Sequence, residues 1–257
     1  MMPDLAGLAE LVGIGHSMAQ AGLLVFLRIG AALALLPAFG EQSVPQRVRL
    51  VVALAFTAAV LPVVAPAMPP EPGLLSAATE VTAGLALGAV FRLFILALQI
   101  AGSMIAQATS LSQIAGGAAP DPLPAVGHLL TAAGLALAVM SGLHIRLAEA
   151  FILSYQVLPA GSFPGVESFS EWGVAHVAHA FRLAFTLAMP FTIAALMYNM
   201  ALGAINRAMP SLMVAFIGAP ALSGAGLILI AILSPLLLSV WSGALLAFMD
   251  APFAVPK

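Results

Sequence analysis

Residues 208–249, 42 consecutive positions, carry no charged side chain. As one straight helix they would run roughly 63 Å at about 1.5 Å per residue. That is twice a bilayer hydrocarbon core of about 30 Å. Such a stretch has to be covered by lipid or by other protein, and it has to bend. Gly218-Ala219-Pro220 and Ser234-Pro235 are the expected bends, with the main helix over about 221–248.

The rest of the chain obeys the same constraint. Only 7% of residues are charged and 62% are apolar, against about 25% and about 45–50% in a soluble domain. So few charges cannot cover a water-facing surface. The eight Lys and Arg residues are scattered singly and the net charge is −2, so no basic stripe exists for nucleic acid. The absence of cysteine excludes a disulfide framework and thiolate metal sites. Residues 1–17 hold Asp4, Glu10 and His16 but no Lys or Arg. A cleaved leader would need a positive start, so the first apolar segment is expected to drive insertion itself.

Apolar stretches run from about Met18 to Phe39, Leu50 to Ala65, Val81 to Ala106, Val126 to Ile145 and Leu183 to Ile205, followed by the long last one. Prolines between Pro62 and Pro72 interrupt regular helix. A mixed region over 146–180 holds an apolar turn near Phe151–Leu158 and a loop at Pro159–Gly165. Runs near twenty apolar residues argue helix. No long stretch alternates with period two, which argues against a membrane barrel. The reading is an all-α, hydrophobic multi-helix membrane protein of one domain. It has about six long helices in hairpins, several of them bent. Gly84-x-x-x-Gly88 and Gly102-x-x-x-Ala106 would let neighbouring backbones approach closely, although glycine and alanine are common in such helices anyway. If six spans alternate, Arg47, Arg49 and Arg207 fall on one side and Arg146, Arg182 and Lys257 on the other. That charge balance sets no orientation.

Arg28 and Arg92 lie within apolar stretches. A cation at a bilayer centre costs about 2.5–3.5 kcal/mol even on the generous insertion scale. Each needs a carboxylate, carbonyls or water, and the expectation is a buried contact to a partner subunit or to a watery lumen. Shifted segment ends with snorkelling side chains would serve as well. His176 and His179 stand three apart, but a metal site needs three or four ligands, and a polar helix end explains them better. No hydrolase, phosphate-loop, zinc-protease or dinucleotide motif is present. Glu80, Asp121 and Glu149 could relay protons in a transporter, while Arg146 and Glu149 read more simply as a helix-surface ion pair. The sequence points to no enzyme and no cofactor.

Segment 106–122 is small, polar and uncharged until Asp121. Gly116-Gly117 and Pro120-x-Pro122 break helix within it. Backbone of this kind survives at membrane depth only inside protein or beside a watery cavity. A pore plug would have this character, and so would an ordinary exposed loop. The candidates for such a plug are Thr109, Ser110, Leu111, Ser112, Gln113, Ile114, Gly116, Gly117 and Asp121.

Several stretches, in order, resemble the FliR family and its injectisome relatives. The first is Phe26-Leu-Arg28 through Pro37-Ala-Phe-Gly40, followed by Val44-Pro45-Gln-Arg47-Val-Arg49-Leu50. Leu98-Gln99-Ile-Ala101-Gly102, Asp121-Pro122, Gly142-Leu143-His144 and Leu158-Pro159 come next. Leu187-Ala-Met-Pro190 and Asn206-Arg207-Ala-Met-Pro210 through Gly218-Ala-Pro220 complete the set. The chain departs from the family at Ser211, usually Gln, at Leu143, usually His, and in a plug segment without aromatic residues.

The resemblance implies a FliP-like part over about 1–180 and a FliQ-like part over about 181–257. It implies one copy completing a ring of FliP and FliQ, with FlhB around the entrance and FlhA nearby. The assembly would sit in the inner membrane at the flagellar basal body ring, largely lifted out of the bilayer, and pass secreted flagellar proteins. Arg28, Arg47, Arg49, Arg92 and Arg207 would then be subunit-interface candidates. The alternatives are a secondary transporter for a small solute, which would show paired broken helices, the equivalent injectisome subunit, or a membrane hydrolase lacking a visible nucleophile–base pair.

Overall fold

The computed structural model describes residues 5–41, 44–69, 73–109, 125–209 and 214–256. Among these residues there are only helices and turns: α1 (Leu5–Leu35), α2 (Gln46–Val64), α3 (Leu74–Ala108), α4 (Ala125–Met140), α5 (Leu143–Val157), α6 (Val166–Ala208) and α7 (Val214–Asp250), with a short 3₁₀ turn at Ala65–Ala67. Five described helices are long and apolar enough to cross a membrane, or six if the bent pair α4–α5 is one span. The chain is a membrane protein.

Prolines and glycines set several helix ends. Pro37 follows the end of α1, and the residue before a proline is kept out of the helical region. Ala38 then takes a positive φ of 67°, and the Gly40 N–H donates back to the Leu36 carbonyl at 2.6 Å. A side chain on Gly40 would meet the Ala34 and Leu36 carbonyls at 2.7 and 2.8 Å, so the turn needs glycine there. Pro45 precedes α2, and its carbonyl accepts from the Val48 and Arg49 amides. Gly142, with φ of 80°, separates α4 from α5.

Several elements differ from the sequence reading. The fourth apolar stretch ends at Met140, and the expected turn around Phe151–Leu158 is the body of α5. The left-handed glycine moves the break to residue 142. Helix α6 starts at Val166, well before Leu183, and spans 43 residues. Its first turns hold Glu167, Glu171 and Trp172, which hid the helix from a reading based on apolar runs. Helix α7 starts at Val214 and continues through Pro220 and Pro235.

The chain divides into two compact units that do not follow chain order. The first contains 1–92, 142–176 and 249–256; the second contains 93–141 and 177–248. In the first unit α1 packs on α2 and α2 on α5, around Ile29, Leu33, Leu147 and Phe151. Phe56 stands edge-on to Phe39 and Phe151, with centroids at 6.3 and 5.9 Å, an arrangement favoured by ring quadrupoles. In the second unit Leu98, Ile105, Leu130 and Trp241 are fully buried.

Small residues permit the closest helix contacts. A Cβ on Gly84 would collide with the Arg28 carbonyl, and one on Gly88 would stand 2.5 Å from the Ala32 carbonyl. The steps 28 to 32 and 84 to 88 advance together, so α1 and α3 run parallel in the first unit. In the second unit, a Cβ on Gly102 would collide with the Gly127 backbone of α4. Gly84, Gly88 and Gly102 of α3 are therefore packing positions.

Candidate functional site

The chemistry of the first unit is concentrated around Arg28. Helix α1 places the guanidinium in the interior with 1% of the residue exposed. Its Nε donates to Glu80 Oε2 at 2.8 Å and its Nη2 to Glu80 Oε1 at 2.9 Å. This is the two-pronged geometry that suits a planar guanidinium and a carboxylate. Nη1 donates to Ser154 Oγ at 2.9 Å and Nη2 to the Leu158 carbonyl at 2.8 Å. The Tyr155 hydroxyl donates to Glu80 Oε2 at 2.9 Å, and its ring lies 3.7 Å from the guanidinium carbon. That ring adds a cation–π contact.

Local structure explains why these groups meet. Gly84 lets α3 approach α1 closely, which brings Glu80, one turn earlier on α3, within reach of Arg28. Leu158 closes α5, where the last carbonyls lack helical partners and attract a cation. Nearby, the Gly161 amide donates to Thr79 Oγ1 at 3.2 Å. The cluster therefore ties α1, α3 and the end of α5 into one body. Its carboxylate is engaged at both oxygens, so it holds helices together.

The other arginines divide into two groups. Arg49 Nε donates to the Phe39 carbonyl at 3.1 Å and Nη2 to the Glu41 carbonyl at 3.2 Å. Arg92 Nη1 lies 3.5 Å from Glu41 Oε1, both side chains partly exposed. These two grip the connection between α1 and α2. Arg47, in the first turn of α2, and Arg207, in the last turn of α6, are exposed. Arg207 there complements the helix dipole.

For Arg28, the carboxylate that the sequence reading requires comes from α3 of the same chain. Arg146 pairs with Asp250, the last residue of α7, at 2.6 Å, where the helix spacing suggests Glu149. Glu80, read as a possible relay group, is the counter-ion of Arg28. The signal for that pair is present in the sequence: one cation and one carboxylate, each inside an apolar helix.

Of the plug candidates, Thr109 belongs to the second unit and is buried. Its hydroxyl donates to the Ile105 carbonyl at 2.7 Å, and Ser223 Oγ of α7 donates to the Thr109 carbonyl at 3.3 Å. Gly226 leaves room for the Thr109 side chain, since a Cβ there would stand 2.6 Å from Thr109 Cβ. Ser110, Leu111, Ser112, Gln113, Ile114, Gly116, Gly117 and Asp121 lie outside the described residues. Also in this unit, Trp241 Nε1 donates to the Phe94 carbonyl at 2.8 Å, against Gly134. Neither Ser223 nor Trp241 stood out in the sequence.

His176 stands edge-on to Trp172 at 4.9 Å, and Trp172 Nε1 donates to the Pro252 carbonyl at 3.2 Å. Among the described residues no three His, Asp or Glu side chains are grouped as a metal would require.

Residues 19–248 match the family described as "Bacterial export proteins, family 1". The chain is also similar to three proteins named "Flagellar biosynthetic protein FliR". The Caulobacter vibrioides protein is 32% identical over 234 residues, covering 88% of this chain and 93% of the relative. The Bacillus subtilis protein is 29% identical over 77% of this chain and 80% of its own length. The Escherichia coli K12 protein is 28% identical over 82% of this chain and 83% of its own length.

Proposed function

The chain belongs to the bacterial export proteins, family 1, and from that premise we propose that it is a non-enzymatic channel subunit of the flagellar protein export gate. The observation that carries this reading is the match to flagellar relatives along nearly the full length of both chains, as in the Caulobacter vibrioides protein with 88% and 93% coverage. The flagellar names of these relatives favour the flagellar system over the injectisome.

In this reading the chain assembles with FliP and FliQ, stands beside FlhB and FlhA, and lines a pore for unfolded flagellar proteins in the inner membrane at the basal body. Residues about 1–180 serve as the FliP-like part and about 181–257 as the FliQ-like part. Helix α6 supports the proposal physically. Its 43 residues measure roughly 65 Å at about 1.5 Å per residue, far beyond one bilayer core of about 30 Å. A helix of that length with exposed Phe181, Phe185, Met189, Leu196 and Met200 fits burial among other subunits. Arg47 and Arg207, both exposed, are the arginines best placed to meet partners. Arg28, Arg49 and Arg92 act on such interfaces through the shape of this chain.

The segment from Thr109 to Asp121 closes the lumen in this reading. Small side chains at Gly116, Gly117 and Ser112 let it pack tightly and withdraw with little loss of contact.

The test is co-expression with FliP and FliQ, mild-detergent capture on this chain, and native mass measurement. The expected result is a complex with one copy of this chain among several of the others. A chain recovered alone or only with itself would overturn the reading. In assembled gates, deletion of 110–118 is expected to raise ion leakage; an unchanged leak would remove the plug assignment and leave the channel subunit standing.

A further inference from the structure

The apolar part of α1 able to cross a membrane is Gly15–Leu35, with mean hydropathy 1.8, against 2.3 for α2 and its 3₁₀ extension. Arg28 lies inside that part, and no acidic residue occurs between Met18 and Leu35 or anywhere in α2. Glu41, in the connection, faces Arg92, and Glu71 lies outside the described residues. The carboxylate that meets Arg28 is Glu80, 52 residues later, in α3. The parallel register of α1 and α3 at Gly84 and Gly88 is what an intervening α2 crossing in the opposite direction requires.

We infer that Glu80 is the insertion partner of Arg28: α1 holds its place in the bilayer only once α3 brings this carboxylate to it, so α1 and α3 enter as a unit. An unpaired cation in hydrocarbon pulls its helix toward water, whereas a paired and hydrogen-bonded one does not. Ser154, Tyr155 and the Leu158 carbonyl then close the cluster from α5. The orientation of α1 is thus decided after α3 is made, which accounts for a chain whose loop charges leave orientation open.

The absence of cysteine makes the test clean. Gly15 is exposed, and a Cβ there meets nothing within 4 Å, so G15C reports the position of α1 in the full chain. Cells making this chain alone are pulse-labelled with a membrane-impermeant maleimide, in intact cells and in inverted vesicles, before turnover removes misplaced protein. G15C is expected to label from one side. Adding E80L is expected to raise labelling from the opposite side several-fold. Adding R28L to E80L is expected to restore one-sided labelling, because neither charge then remains. One-sided labelling in E80L, or a double variant as mixed as E80L alone, would overturn the inference. The readout needs no export partners, so it stands or falls apart from the channel reading.

Discussion

Arg28 and Glu80, from helices separated by α2, share two hydrogen bonds of 2.8 and 2.9 Å in a site closed to solvent. Breaking such a pair by removing one partner leaves an uncompensated charge. Loss of one partner of a buried pair costs about 3–5 kcal/mol, while replacing both by apolar residues is near neutral. Glu80→Ala is expected to lower the thermal unfolding midpoint in detergent strongly. Arg28→Met with Glu80→Leu is expected to recover most of the loss. Equal loss in the single and double variants would show that the cluster acts only through packing.

The close approach of α1 and α3 gives a steric prediction. Gly84→Val puts a branched side chain against the Arg28 carbonyl, and overpacking of this kind costs about 1–3 kcal/mol or more. Gly30→Ala, where a Cβ meets nothing within 4 Å, is expected to be neutral or to stabilise by about 0.5–1 kcal/mol, since alanine suits a helix better. Unfolding midpoints of the two variants measured side by side check the contrast.

Trp241 makes a third case, in the other unit. Trp241→Phe removes the indole N–H that donates to the Phe94 carbonyl. A lost neutral hydrogen bond is worth about 0.5–1.5 kcal/mol, and Trp241→Ala adds a cavity for a total of about 3–5 kcal/mol. The expected order of stability is wild type, then Phe, then Ala. A Phe variant as unstable as the Ala variant would mean that ring volume matters less than the hydrogen bond.

The Arg146–Asp250 pair is shorter than the Arg28 bonds, at 2.6 Å, yet its side chains are 40% and 61% exposed. Exposed pairs contribute about 0–1 kcal/mol. Arg146→Gln is therefore expected to shift the unfolding midpoint little, and raised salt is expected to reduce even that effect. A large loss would indicate that the end of α7 depends on this one contact.

Hydrophobic run length made the membrane class and most helix cores legible before any coordinates. It placed the end of α2 to within a residue, missed its first turn, which starts at Gln46, and located the interior of α3. It failed where a helix carries polar residues, as at the start of α6, and where one glycine, Gly142, interrupts an apolar run. Both failures have the same origin. Apolar runs report partition into lipid, whereas helix ends depend on backbone dihedrals and hydrogen bonds.

The sequence by itself determined that the chain lives in an apolar surrounding, that it is helical, and that Arg28 needs compensation. Those properties follow from local composition and from the cost of an unpaired charge. Only the tertiary structure decided who compensates it. Glu80, Ser154, Tyr155 and the Leu158 carbonyl lie far from Arg28 in the chain, and no spacing rule links them to it. What brings Glu80 to Arg28 is the missing side chain at Gly84, which lets α3 approach α1 closely enough for the carboxylate to reach.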